Sequence, residues 1–557
     1  MPALVVALTL ALSPNASTAG AVPAGLPAHF AFGLGASPGD TWMPQSGIPW
    51  DFRFQYLSGG VNTGSGWETW NSDGTFALNY ATESAQHGYI PMFPYYELLQ
   101  SNGNCGACGE GQKDVTNLNT PGLMQAYYAN FALLMKRLGP GTHDGIAGYG
   151  KTALINIEPD FSGGYAIQAA NNTKGACFGF CSGQGNDPGV LKASVASSGY
   201  ADVAAYPNTY VGFTQALAHL RDLYAPNVLL GYDVSPWATG DDIGLDTSTT
   251  TSGAALGQQV GTFLSKVGPH ELLFNDPLDR DAGQYKYVYG QNRFWDRLNV
   301  TVPNVMRGEE YLPGAITVDG NKPLYLWQVP LGNQYFDTVN NTDGHYQDNR
   351  AEYIFDHVPE LIQTGIVGAM FMPGNAGNST YNDARADGVT NPGSFCTTDG
   401  LSSGQICNDH TSTVADDDGG FVRMSAQQYY VSPVALGGGA TTPTSTPVAA
   451  TYSSGATASP SSVAAGDTAS ISTSVSSSQA STVLVDVEIY DPSGARVFQQ
   501  FWDNQSFTAN QTRAFTTSWS VPATAGTGSY TVKIGVFSPG WGSLYTWNNQ
   551  AAVFSVT

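Results

Sequence analysis

The run Ala153-Leu154-Ile155-Asn156-Ile157-Glu158-Pro159-Asp160 ends a mostly apolar stretch with two carboxylates on either side of a proline. Carboxylates this close can do acid–base work. One protonates a leaving oxygen while the other, ionised, attacks carbon or activates a water, which is how glycosidic bonds are cleaved. An apolar run of this length predicts a fully buried strand of a parallel sheet. Proline does not continue a central strand, so the carboxylates fall just past the strand's C-terminal end. In a barrel of alternating strands and helices, that edge carries the chemistry. A chain that stays extended through Pro159 sets Glu158 and Asp160 on one face. Two such neighbours rarely both ionise, so one keeps its proton.

Other strand ends bring more acids to the same rim: Glu97 after the third strand, Asp233 after the fifth and Asp276 after the sixth. A single one of them could simply cap a helix; several at one edge argue for a site. Trp67, Tyr95, Tyr96, Trp237 and Trp327 fall near that edge, with Gln328 beside Trp327. Pyranose faces stack on such rings, and amides bond to hydroxyls. Core packing is the competing explanation for the rings.

The elements that must position these residues follow from periodicity. Strands are predicted at His29–Leu34, Phe52–Leu57, Tyr89–Tyr96, Ala153–Ile157, Val228–Tyr232, Glu271–Asn275, Pro323–Val329 and Ile366–Met372. Helices are expected at Leu123–Leu138, Tyr210–Tyr224, Leu256–Val267 and Arg350–Thr364, with another starting over Asn292–Leu298. Strands alternating with helices give an α/β fold, a TIM-like (β/α) barrel over residues 28–436. The long insert Phe161–Tyr206 is expected as loop at the functional rim. Residues 437–460 read as a Gly/Thr/Ser/Pro linker. Beyond it the period becomes two: Val483, Val485, Val487 and Ile489 share a face, as do Tyr530, Val532, Ile534 and Val536. Residues 461–557 are therefore expected to form a small all-β sandwich. Trp502, Trp541, Tyr545 and Trp547 crowd its second half, as core or as a stacking surface for sugars.

Composition narrows the function. The net charge is −23 and only 12% of residues are charged. Lys and Arg form no cluster, which argues against nucleic-acid and anionic-membrane partners. The apolar segment Ala3–Leu12 and the small residues Ala19–Ala21 read as a signal peptide over residues 1–21, hence a secreted, extracellular protein. Six cysteines fall into three local pairs, Cys105/Cys108, Cys177/Cys181 and Cys396/Cys407, read as disulfides of an exported protein. A zinc site from the first four is the rival. Asp416–Asp418 reads as a solvated loop rather than a calcium site. No Gly-x-Ser-x-Gly elbow precedes a plausible triad, there is no His-Glu-x-x-His motif, and no phosphate loop follows a strand. No cofactor or metal is expected. The expected partner is a polysaccharide substrate, acted on by a monomer.

Three patches sharpen the expectation. Leu154–Asp160 resembles the Glu-Pro-Asp strand of glycoside hydrolase family 6, the inverting cellulases and cellobiohydrolases. Pro226-Asn-Val-Leu-Leu-Gly-Tyr-Asp233 resembles that family's next strand, and Trp327-Gln-Val-Pro-Leu-Gly332 its Trp-x-Lys-Pro-Gly-Gly segment. The resemblance implies hydrolysis of a β-linked, cellulose-like glucan with inversion. Asp160 would be the general acid, Glu158 its support and Asp233 the neighbour holding the charge balance. The family's Arg-Asp-Cys loop and late glutamate have no match, so its base does not carry over; Asp343 and Asp348 are the substitutes in reach. The segment Gly540–Asn549 resembles accessory sandwich modules of bacterial secreted glycosidases. Two alternatives stay open. One is a retaining barrel glycosidase using Glu158 as acid/base, although Gln328 stands where its nucleophile belongs. The other is a non-catalytic polysaccharide-binding protein.

Overall fold

The structure is a computed structural model describing residues 22–103, 105–244, 252–277, 280–295, 305–333, 346–373, 419–436, 452–478, 481–508, 511–537 and 544–557. Of these, residues up to 436 form one compact unit and those from 452 a second. The expected signal peptide, Cys396, Cys407, Asp343, Asp416–Asp418 and Trp541 lie outside the described residues.

The first unit is a closed barrel of eight parallel strands: β1 Ala31–Gly35, β2 Phe52–Phe54, β3 Ile90–Tyr96, β4 Ala153–Ile157, β5 Val228–Asp233, β6 Leu272–Asn275, β7 Leu324–Pro330 and β8 Ile366–Met372. Each pairs with its chain neighbours, and β1 closes the ring against β8. The short pair Leu57–Ser58 extends the β2 side along β3. β4 is buried along its whole length, as a parallel strand between a filled barrel and outer helices requires. Its register against β3, Tyr95 opposite Ile157, brings both strands to the same rim.

The helices that bear on the site are α1 Glu110–Leu118, α2 Pro121–Leu138, α3 Tyr210–Tyr224, α4 Ala282–Tyr289, α5 Val305–Val318 and α6 Gly419–Tyr429. Of the helix expected between β6 and β7, starting over Asn292–Leu298, the described residues Asn292–Trp295 are not helical. Gly290, in the left-handed conformation, closes α4. Arg293 then bonds to Asp242 and Trp295 to Asn349, in place of a helical ladder. The described crossover helices here are α4 and α5. The insert Phe161–Tyr206 is more ordered than a loop: it opens with a π-helical turn and holds several short helical turns.

Cys105–Cys108 and Cys177–Cys181 are disulfides. Their sulfurs bond to one another, which removes the zinc alternative. Two disulfides fit an extracellular protein. No helix among the described residues is long and apolar enough to cross a membrane.

The second unit is all β, a three-stranded sheet and a five-stranded one. The alternating residues Val483, Val485, Val487, Ile489, Tyr530, Val532, Ile534 and Val536 all fall in its core. Tyr452–Ser459, expected as linker, is a strand paired with Thr468–Ser477. Its small residues hide the apolar alternation by which a strand is recognised.

The barrel's chain ends are tied together. Tyr429 and Tyr430, at the end of α6, donate to the Phe30 carbonyl (2.6 Å) and to Asp51 (2.5 Å). The His29 ring bonds to the same Asp51 at 3.1 Å. That bond raises the His29 pKa above its ordinary value, against partial burial. A raised histidine stabilises fully below its unfolded pKa of ~6.5 and loses that contribution as pH rises through the folded value. The melting-temperature gap between wild type and His29→Gln is therefore expected to be wider at pH 5.5 than at pH 8.5. A gap independent of pH would show that the pair does not titrate.

Candidate active site at the C-terminal rim of the barrel

Glu158 ends β4 with φ +43°, a left-handed conformation rare outside glycine. The chain does not stay extended through Pro159. Pro159 and Asp160 already have helical geometry, and the Ser162 N–H bonds back to the Glu158 carbonyl at 2.7 Å. Proline suits a first helical turn, where its missing N–H is no loss. The expected shared face of Glu158 and Asp160 is therefore absent, and the two carboxyls part.

The Glu158 carboxyl turns toward the β3 end. It accepts the Glu97 N–H (3.0 Å), the Leu98 N–H (3.1 Å) and the Tyr127 hydroxyl of α2 (2.9 Å). It is buried, and burial pushes its pKa up to about 8 against these donors. Glu97 is buried as well. It accepts the Gly60 N–H at 2.7 Å, and burial, followed by the charge of Glu158, raises it to about 9. Asp233 lies under Trp327, whose indole N–H donates at 3.0 Å, and next to Ser235 at 3.3 Å; burial lifts it to about 7. The Asp276 backbone N–H also serves Asp233.

Asp160 faces a different set. Burial raises it to about 8, followed by the charges of Glu110 and Asp233, while the Tyr96 hydroxyl acts the other way. Tyr96 also donates to Glu110 at 2.5 Å. The charge of Glu110 favours the protonated form of Asp160, so this grouping holds a proton beside the rim. Asp114, one helical turn beyond Glu110, is buried with neither oxygen partnered among the described residues. Burial and the charges of Glu158, Glu110 and Asp160 raise it well above the carboxylate range. Strand-end reasoning passed over Glu110 and Asp114 because they sit on α1. Their i, i+4 spacing was the available signal.

Of the five strand-end acids, Glu97, Glu158 and Asp233 are buried, while Asp160 and Asp276 keep partial access to solvent. The rings divide likewise. Trp67 is fully buried and donates to Asn130 at 2.7 Å, and buried Tyr95 donates to the same oxygen at 2.8 Å. Neither can stack on a sugar; both are core. Trp327 is 1% exposed and serves Asp233. Tyr96 and Trp237 remain half-buried at the rim, joined by Tyr165, whose ring lies 4.7 Å from that of Trp237. Gln328, at φ +56° beside a register break in β7, accepts the Tyr56 hydroxyl at 2.5 Å. Asp348, a substitute base on sequence, is fully buried against Arg350 and the Ala282 N–H.

Two glycines set the approach of the Asp160 turn. A Cβ on Gly163 would stand 2.7 Å from the Asp233 Cβ and 2.6 Å from Ser235 Oγ; one on Gly164 would enter the Trp237 ring at 2.3 Å.

No protein-family model and no curated protein sequence matches this chain. Among solved structures, it is similar to a calcium-binding mutant of Bacteroides uniformis beta-glucuronidase 2, with 9% identity over 96% of this chain and 47% of that one, TM-score 0.32. It is also similar to Listeria innocua beta-glucosidase in complex with isofagomine, with 9% identity over 60% of this chain and 41% of that one, TM-score 0.21. The chain spans less than half the length of either. A third likeness, to the C-terminal domain of wzt, has 14% identity over 19% of this chain and 73% of that one, TM-score 0.17. Likenesses this weak add nothing to the fold read from strand pairing.

Two outcomes test the geometry. A carboxyl whose pKa is raised on folding binds more protons folded than unfolded, so its contribution to stability falls as pH rises between the two values. For Glu97 that window runs from its ordinary value of 4.5 to about 9. Glu97→Gln should match wild type in melting temperature near pH 4.5 and exceed it near pH 9. Gly163→Ala should destabilise by about 1–3 kcal/mol through overpacking against Asp233. Denaturant melts that leave Gly163→Ala at wild-type stability would show that the turn does not press on β5.

Proposed function

We propose that this chain is a glycoside hydrolase that cleaves a β-linked glucan with inversion, Asp160 being the proton donor and Asp276 the base. The observation that carries the reading is the division of acids at the rim: of the strand-end carboxylates, only Asp160 and Asp276 remain reachable. β4 and β6 are separated by one strand. Two strand spacings of ~4.8 Å put their ends about 10 Å apart. An inverting pair stands roughly 6.5–9.5 Å apart, which leaves room for the attacking water.

In this scheme the substrate lies across the barrel mouth with the glycosidic oxygen at Asp160. As the C–O bond breaks, its electron pair goes to that oxygen, which takes the Asp160 proton. Water adds to the anomeric carbon from the opposite face and gives its proton to Asp276. Asp160 suits the donor role because burial and the Glu110 and Asp233 charges hold its proton near neutrality. The half-buried rings of Tyr96, Tyr165 and Trp237 offer stacking faces for an uncharged sugar. The retaining alternative fares poorly, since both Glu158 oxygens already accept backbone or phenol donors and Gln328 is no nucleophile.

Reducing-sugar release from a polysaccharide panel tests the reading. Asp160→Asn should lower kcat on the responsive polymer by about 10²–10⁴-fold, and the wild-type rate should fall as pH rises past about 8. Inverted configuration of the first product, read by NMR, should accompany it. A folded protein that releases no sugar yet binds one polymer would favour the binding-protein alternative. Retained configuration would move the chemistry to other residues.

A further inference from the structure

Beside Glu110 lies a cavity of about 380 Å³, within the range of small-ligand pockets (~300–1,000 Å³). Its walls come from two places. One is the first turn of α1, with Glu110 and Gly111. The other is the insert after β4, with Tyr165, Gln168, Lys174 and Phe178. Gly111 lets the Tyr165 ring lie close against α1, since a Cβ there would stand 2.5 Å from it. Gln168 donates to the Trp237 carbonyl at 2.9 Å and fixes the floor of the insert.

The outer wall is hard to explain by folding alone. Phe178 is 43% exposed and held at φ +50°, inside the loop closed by Cys177–Cys181. Lys174, at φ +49°, is exposed and makes no ion pair among the described residues. Left-handed backbone at non-glycine residues is strained and gathers at ligand clamps. An open aromatic face, an amide, a carboxyl and an ammonium around a cavity of this size match a sugar ring, with apolar faces and a hydroxyl edge.

We infer that this cavity is the subsite for the leaving-group sugar, a neutral pyranose on the far side of Asp160 from the bond's cleaved ring; this rests on the glycosidase reading above. The direction follows from the barrel. The ring being cleaved sits over the barrel mouth, between Asp160 and Asp276. Glu110, which accepts the Tyr96 hydroxyl at the end of β3, marks the passage outward. The sugar that departs on the protonated oxygen therefore enters the pocket between α1 and the disulfide loop, with its face on Phe178.

The test compares two substrates of the full chain. One is an oligosaccharide of the responsive glucan, which must fill the pocket. The other is the matching β-glycosyl fluoride, whose leaving group is a fluoride ion and fills nothing. Phe178→Ala should lower kcat/KM on the oligosaccharide about 3- to 10-fold, the scale of one aromatic stack. It should leave fluoride hydrolysis and melting temperature unchanged. Phe178→Tyr should restore the oligosaccharide rate. Equal loss on both substrates, or none on either, would overturn the subsite while leaving the hydrolase standing. A wild type that cleaves neither substrate would take the subsite down together with the hydrolase.

Discussion

The rim depends on where one buried carboxylate points. Glu158 leaves the barrel mouth and binds two backbone N–H groups at the end of β3 and a phenol on α2. That requires a left-handed residue at the end of β4, and the reversal there starts the helical turn that carries Asp160 back to the rim. Burying the ionised form costs several kcal/mol, so the carboxyl keeps its proton up to about pH 8. Three donors offset much of that cost, and the same bonds lock β3, β4 and α2 together.

Among the described residues, Glu97, Glu158, Asp160, Asp233 and Asp114 make no ion pair with a Lys or Arg of the kind that usually accompanies buried carboxylates. Burial is the largest influence on Glu97, Glu158, Asp160, Asp233 and Asp114 alike. In a region of low dielectric, like charges repel strongly, so the cluster lowers its energy by holding protons. A site built this way is a proton store. It favours chemistry in which the protein gives a proton to a poor leaving group, and it disfavours binding of anions.

Much of the barrel was legible because parallel strands bury both faces. Ala153–Ile157 and Ile366–Met372 are continuous apolar runs of strand length, and the structure gives them those bounds. The sandwich core was legible for the opposite reason, since Val483, Val485, Val487 and Ile489 recur at every second position. The rim was read less well. Carboxylates at strand ends look alike in sequence, yet burial separates Asp160 and Asp276 from Glu97, Glu158 and Asp233. That difference comes from long-range partners such as Gly60, Tyr127 and Trp327. The φ of Glu158 was equally hidden, because no local preference sends a glutamate into the left-handed region. Trp67 and Tyr95 were misplaced as sugar contacts because aromatic residues near a rim serve core and ligand alike; a shared buried asparagine, Asn130, settles which.

The two described disulfides close loops with sequence separations of only three and four residues. Loops so short remove little freedom from the unfolded chain, and the gain from a cross-link grows with the loop it closes. These bonds therefore contribute little to holding the barrel together. What they constrain is the outline of the walls flanking α1 and the insert after β4. A reducing environment would be felt as a loss of fit in the groove while the fold persisted, so the oxidation state of the surroundings sets how well this surface receives a ligand.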